Sequence, residues 1–252
     1  MSSEIKTLIL DIETFPTAAY VWQLFDTNVN LNAIIKPGGI MSWAAKWHED
    51  DDVWYSSINM TSHKNMLKEV WKLLDEADEV VGWNSNSFDL KHLNAAFAVA
   101  GLGPPSPYKK VDLMRTVKSQ MKFVSNKLDF ISGEFGVGHK LEHEGFDLWV
   151  KCMNKDQDAW ARFEDYNVQD VLLTERMYEK LRGWITTGVN RSTFHGDLRC
   201  HECGSKHLQS RGTAITSTQT YRRYQCQDCG SWPRERLAIK PADRPTTLVR
   251  TV

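Results

Sequence analysis

Long apolar runs are missing from this 252-residue sequence, and no stretch approaches the roughly 20 residues a membrane-spanning helix needs. The start, Met1-Ser2-Ser3-Glu4-Ile5-Lys6, lacks the basic-then-apolar order of a secretory signal. Internal repeats and low-complexity tracts are absent. Cysteine is scarce, five in all, and the formal net charge is only −1. These absences exclude a membrane span, argue against a disulfide-stapled scaffold, and make the cytoplasm (the host's, for a phage protein) the expected location. What remains is an ordinary globular composition, 41% hydrophobic and 25% charged, long enough for one sizeable domain and a small one.

The near-zero charge hides an asymmetry. Residues 191–252 carry eleven Lys/Arg against five Asp/Glu, whereas residues 1–190 carry twenty against twenty-seven. An acidic body can host cations and a basic appendage suits a polyanion, although solvated surface charge accounts for both equally well. Four of the five cysteines form two CxxC pairs, Cys200/Cys203 and Cys226/Cys229, and Cys152 stands alone as a small apolar side chain.

Thr7-Leu8-Ile9-Leu10 reads as a core strand running into Asp11-Ile12-Glu13-Thr14. Tyr20–Phe25, Ile40–Lys46 and Val53–Ser57, rich in aromatic and β-branched residues, predict further strands. Ser62 caps a helix through about Ala77, Val80–Trp83 is a short strand, and Phe88–Ala100 is a helix closed by Gly101. Shorter helices follow at Asp112–Met121 and Lys127–Phe135, and a long amphipathic one from about Asp156 to Leu181. Strands early and alternation later indicate a layered α/β or α+β domain.

Asp11 and Glu13, two apart on a strand, project from one face. Glu76/Asp78, Glu142/Glu144 and Asp156/Asp158 share that spacing and look like surface, so context decides: only Asp11 and Glu13 follow a core run, where carboxylates are costly unless paired or bound to a cation. Gly82-Trp83-Asn84-Ser85-Asn86-Ser87-Phe88-Asp89 places an Asp at a helix start, where it commonly serves the helix dipole. Tyr166-Asn167-Val168-Gln169-Asp170 puts Tyr and Asp on one helical face.

Taken together, these segments resemble the three motifs of the DEDD exonuclease superfamily in its Tyr-containing branch. The sequence is similar to the proofreading domain of B-family DNA polymerases and its stand-alone relatives, over roughly residues 5–183. Asn126-Lys127-Leu128-Asp129-Phe130 also resembles the stretch before the last motif. The resemblance implies a ribonuclease H-like mixed sheet flanked by helices, and a 3′–5′ exonuclease releasing nucleoside 5′-monophosphates, foremost from single-stranded DNA. Asp11, Glu13, Asp89 and Asp170 would hold two Mg²⁺ or Mn²⁺ ions about 4 Å apart, and Tyr166 would orient the attacking water. Thr14, Asn84 and Phe88 match positions beside the substrate's terminal nucleotides. Without cations, four gathered carboxylates should raise one another's pKa values. Trp83 reads as packing, and His139, Lys140 and His143, after a glycine turn, as a solvated loop.

Each CxxC pair is followed directly by glycine, Gly204 and Gly230, which can take the left-handed conformation a metal-wrapping turn needs. Cys200, Cys203, Cys226 and Cys229 therefore predict a zinc ribbon with tetrahedral thiolate coordination and a structural Zn²⁺, His195, His201 and His207 not being ligands. Arg222 and Arg223, interleaved with Tyr221 and Tyr224, suit phosphate contact and base stacking; a solvated hairpin and docking of a replication or repair protein are the alternatives. The expected organisation is a nuclease domain over residues 1–183, a linker over 184–197, the ribbon over 198–236 and a tail over 237–252. An RNA-directed exonuclease and an inactive nucleic-acid-binding scaffold are the competing functions.

Overall fold

The computed structural model describes residues 5–239. They divide into two compact units, one of Ile5–Tyr178 and one beginning at Glu179. Met1–Glu4 and, from residue 240 on, the expected tail lie outside the described residues.

In the first unit, the apolar run of β1 (Thr7–Phe15) becomes the centre of a sheet. A two-stranded arm, β2 (Ala18–Ala19) with β3 (Ile34–Lys36), separates it from β4 (Gly39–Trp47). Then come β5 (Val53–Ser57), helix α1 (His63–Glu76), β6 (Glu79–Gly82), α2 (Asp89–Val99) and β7 (Lys109–Asp112). The sheet order is β5-β4-β1-β6-β7, with β4 antiparallel to β1 and β5, and β6 and β7 parallel to β1. Helices α3 (Leu113–Gln120), α4 (Leu128–Glu134), α5 (Phe146–Met153) and α6 (Gln157–Leu181) complete the α-helical elements.

Strand alternation sorts the two faces. Leu8, Leu10 and Ile12 pack with Val70, Leu74, Leu93 and Phe97 of α1 and α2. Beyond the other face, Met41 packs with Leu148 and Cys152 of α5 and Ala159, Trp160 and Phe163 of α6. Asp11 and Glu13 alternate with Leu10 and Ile12, so they point to the side that α6 covers.

The Ser62 cap is present, its side chain accepting from the Asn65 N–H, and Gly101 closes α2 with φ +74°. One expectation fails locally, and two elements are ones the sequence did not announce. Tyr20–Phe25 is not a strand: pairing stops at Ala19, and its aromatic residues are exposed rather than packed on a pleated surface. Strand β7 went unpredicted because it is a short edge whose exposed half is Lys109-Lys110, a composition suited to an unpaired edge. Helix α5 is hidden in the sequence by Gly145 at its entry, which takes φ +67° to turn the chain into it.

In the second unit, β8 (Leu208–Ile215) and β9 (Thr220–Cys226) form the expected hairpin. The chain then returns along the other edge of β9. Tyr224 N–H donates to Pro233 O, Glu235 N–H to Arg222 O and Ile239 N–H to Thr220 O, so β9 is bonded on both sides. Residues 184–197 are largely without α or β structure, with a 3₁₀ turn at Arg191–Phe194, and the Arg191 N–H donates to His201 O at 2.8 Å.

Candidate active site and cysteine cluster

Asp11 and Glu13 come from β1 and Asp170 from α6, and ligand oxygens of all three lie within 4.8 Å of one another. Asp89, buried at the start of α2, stands behind them and accepts the Ile12 N–H at 3.0 Å, binding the α2 terminus to the strand between the two acids. Burial, then the charges of Asp89, Asp170 and Glu13, raises the Asp11 pKa well above the usual carboxylate range. Burial followed by Asp170 pushes Glu13 up to about 8, and burial raises Asp89 to about 7. Burial also raises Asp170, against the pull of Lys140.

Two side chains without an expected part in the site, Asn167 and Lys140, hold this group in place. Asn167, wholly buried, donates from Nδ2 to Asp11 Oδ2 at 2.8 Å, while its Oδ1 accepts the Ser42 hydroxyl at 2.8 Å. Because an ionised carboxylate can only accept, the amide N–H is turned toward Asp11, which leaves the amide oxygen to the Ser42 hydroxyl. Lys140, expected in a solvated loop, instead reaches Asp170 Oδ2 at 2.5 Å and the Tyr166 hydroxyl at 3.0 Å. Burial would lower its pKa, but Asp170 and Tyr166 outweigh that and raise it, so the ammonium stays charged. Its loop is tied down by Asp129 of α4, whose carboxylate accepts the Lys140 N–H at 2.9 Å and contacts His139 Nδ1 at 3.2 Å. The usable sequence signal was Asn126–Phe130, which supplies that aspartate.

Tyr166 lies one helical turn before Asp170, buried, with its ring edge-on to His143 at 4.7 Å and near Trp149 at 6.0 Å. A cleft of about 470 Å³ opens beside it, lined by Asp129 and residues 139–143. Thr14 follows a bulge after Glu13 and pairs with Ile40. Asn84 takes φ +64°, and the loop it opens is organised by Asp112, whose carboxylate accepts the N–H groups of Asn84, Asn86 and Arg115. Phe88 is exposed, edge-on to His92 at 4.6 Å, and Trp83 donates from Nε1 to Asn126 O at 3.1 Å.

The hard oxygens fit Mg²⁺ or Mn²⁺, which retain waters and take carboxylates readily. A further sign is Asp170 Oδ1, buried with no hydrogen-bond partner among the described residues, next to acids whose raised pKa values a divalent cation would relieve.

In the second unit, the Sγ atoms of Cys200, Cys203, Cys226 and Cys229 lie within 4.8 Å of one another. Cys200–Cys229 is 3.6 Å and Cys203–Cys226 3.5 Å, far from a disulfide and close to the edge of about 3.8 Å that a tetrahedron of 2.3 Å Zn–S bonds requires. Both turns are built alike: Gly204 and Gly230 take φ +74° and +76°, and each donates its N–H to the first cysteine of its own pair. The cluster fits a zinc ribbon. Cys229 O lies 2.4 Å from where a Cβ on Gly183 would sit, so only glycine fits there. Arg222 and Arg223 are successive on β9 and face opposite ways. Arg223 lies over Trp232 at 5.1 Å and, beside it, Arg234 over Tyr221 at 3.8 Å.

No curated protein matches the sequence. Among solved structures, the family B DNA polymerase of the hyperthermophilic archaeon Pyrobaculum calidifontis is similar in fold, with a TM-score of 0.53 and 18% identity over 71% of this chain. The match spans 24% of the polymerase's length. The RNase_H_2 family model matches residues 43–182, which includes Asp89, Tyr166 and Asp170 and begins after β1. With more than half of its length matched and the mixed sheet flanked by helices in place, the chain belongs to the RNase_H superfamily.

Proposed function

We propose that this nuclease-fold protein is a metal-dependent 3′–5′ exonuclease that releases nucleoside 5′-monophosphates, foremost from single-stranded DNA. The observation that carries this is the convergence of Asp11, Glu13 and Asp170 within 4.8 Å, with Tyr166 one turn away on the same helix. The likeness to the polymerase proofreading domain supplies the direction of attack.

Asp11, Glu13 and Asp170 would hold the divalent ions, with Asp89 behind them. Such ions, when bound, lower the pKa of water for in-line attack on phosphorus and neutralise charge on the leaving 3′ oxygen. Hydrolysis forms one water O–P bond, breaks the P–O3′ bond and delivers a proton to O3′. Tyr166 orients the attacking water by its hydroxyl. Lys140 holds that hydroxyl and Asp170 in one geometry, and Asn167, bonded to Asp11 Oδ2, fixes the orientation of that carboxylate. Thr14, Asn84 and Phe88 would meet the terminal nucleotides.

The ribbon would be folded around a structural Zn²⁺ and present Tyr221, Arg223, Trp232 and Arg234 on one face as a second contact for nucleic acid. Incubation with 3′- and 5′-labelled single-stranded DNA and RNA, in Mg²⁺, Mn²⁺ or chelator, should give a metal-dependent ladder from the 3′ end. RNA degraded in preference to DNA would reassign the substrate. Equal activity in Asp11→Ala would show that the site lies elsewhere.

A further inference from the structure

The arm between β1 and β4 has no part in the site described above. Over residues 16–38 it carries Tyr20, Trp22, Leu24, Phe25, Leu31 and Ile35, all exposed, with Trp22 at 104%. So dense a run of exposed apolar side chains in one segment marks a binding surface, whereas single exposed residues do not. The root of the arm is firmly held. Lys36 Nζ lies over the Phe15 ring at 4.7 Å, the Gly38 N–H donates to Thr17 Oγ1 at 2.9 Å, and the Tyr20 N–H donates to Ala33 O at 2.9 Å. A Cβ on Gly38 would come 2.9 Å from Phe15 O, so the two arms of the root are in close contact.

That root is close to the carboxylates. Thr17 is four residues after Glu13, a span of at most about 14 Å along the chain. A strand whose end reaches Glu13 can therefore meet the arm within a few nucleotides of that end.

The chemistry of the arm selects bases over phosphates. Its only charged residues over 16–38 are Asp26 and Lys36, so it offers a polyanion almost no counter-charge. Gln23 stands between the rings in sequence and Asn28 and Asn32 follow them, neutral amides that both donate and accept hydrogen bonds. Every base has a π-face that stacks on aromatic rings irrespective of sequence, and edges that pair with amides. Next to an acidic site, a neutral aromatic surface gives a hold on the strand that like-charge repulsion does not weaken.

We propose that the arm is a base-stacking platform for single-stranded nucleic acid, with Trp22 at its centre, gripping nucleotides a few positions from the reacting end. This rests on the nuclease function proposed above, and its test separates the two. Binding is read by fluorescence anisotropy of labelled oligo(dT) in an Asp11→Ala background, where turnover is not needed. Trp22→Ala should weaken binding by about fivefold or more, and Tyr20→Ala and Phe25→Ala should do so in the same direction. Trp22→Phe should recover most of the loss. In the otherwise unchanged protein, Trp22→Ala should raise KM for oligo(dT) with kcat preserved, and leave cleavage of a dinucleotide, too short to reach the arm, and the unfolding temperature unaltered. Unchanged oligo(dT) affinity in all three alanine variants overturns the proposal. So does a change from dimer to monomer in sedimentation without a change in affinity, which would give the arm to a second copy of the chain. If the unaltered protein cleaves no nucleic acid, the nuclease function falls, and the anisotropy series still decides the arm.

Discussion

The carboxylate group and the cysteine group each draw like-charged ligands to one point, but the two regions tolerate this differently. Asp11, Glu13, Asp89 and Asp170 are brought together by β1, α2 and α6, which an apolar core on both sheet faces already fixes. Between 198 and 239, by contrast, the only buried residues are Cys200, Glu202, Cys226 and Ser231, and none is a large apolar side chain. In the first region the fold imposes the ligands on one another at a cost; in the second the ligands must supply the fold. A bound metal would therefore be a reagent in one region and a core in the other.

The largest expected effect follows for the ribbon. Structural zinc contributes on the order of 10–16 kcal/mol in small fingers, more than these few buried side chains can replace. Cys226→Ser should abolish amide-exchange protection over β8 and β9 while leaving β1, β4 and β6 protected. Protection persisting in the hairpin would mean that its fold does not depend on the metal. The carboxylate region should behave in the opposite sense. Asp11→Asn is expected to cut hydrolysis on the order of a thousandfold. In metal-free protein, the same substitution should raise the unfolding temperature by roughly 2–4 °C, the equivalent of about 1 kcal/mol for a chain of this size, because a buried like charge is gone. A lower unfolding temperature would contradict the view that these acids are imposed on the fold at a cost.

Next in size is the support behind Asp11. Asn167→Ala removes its buried hydrogen bond, and loss of a group that orients a metal ligand commonly costs about 10–100-fold in metal affinity. Calorimetric titration with Mn²⁺ should show that loss. Unaltered affinity would leave Asn167 as a packing residue.

The pH dependence sharpens the same contrast. Glu13 is pushed up to about 8 and Asp89 to about 7, both above their ordinary values near 4. The folded state thus keeps protons that the unfolded state has released, and metal-free stability is fullest below pH 4 as far as these two groups decide it. It should fall as pH rises from about 4 to about 8, by at least about 1 kcal/mol, and Mg²⁺ should flatten the fall. Unfolding temperatures at pH 5 and pH 8, with and without Mg²⁺, measure this.

Most of the carboxylate site could be read from the sequence because its parts obey local periods. A four-residue apolar run aims Asp11 and Glu13 to one face, and Tyr166 and Asp170 share a face through i, i+4 spacing. Lys140 escaped because its position is set by a tie to Asp129 eleven residues earlier, and a Gly-flanked loop with His and Lys looks solvated until that tie is known. The arm was misread for a related reason: aromatic residues signal a strand only when a pleated partner is there to pack them, and beyond Ala19 there is none. In the ribbon, the cysteines and glycines were legible down to the left-handed turns, whereas the return of residues 231–239 along β9 was not, since its bonds are backbone bonds that no side chain announces.

The smallest expected effect bears on which face of the ribbon touches nucleic acid. Arg222 and Arg223 look equivalent in sequence, but β-strand alternation sends them to opposite faces, and only Arg223 shares a face with Trp232 and Arg234. A phosphate contact contributes a slope of about 0.9 to the dependence of log affinity on log salt. Arg223→Ala should therefore lower the slope by about 1 for oligo(dT), with a modest uniform loss of affinity, and Arg222→Ala should leave it in place. Equal losses from both would show that the strand's two faces bind alike, and no loss from either would turn the ribbon from a nucleic-acid contact into a docking site for a protein. Because the four-sulfur cluster is untouched by these substitutions, any change reads the surface alone, separately from the cysteines beneath it.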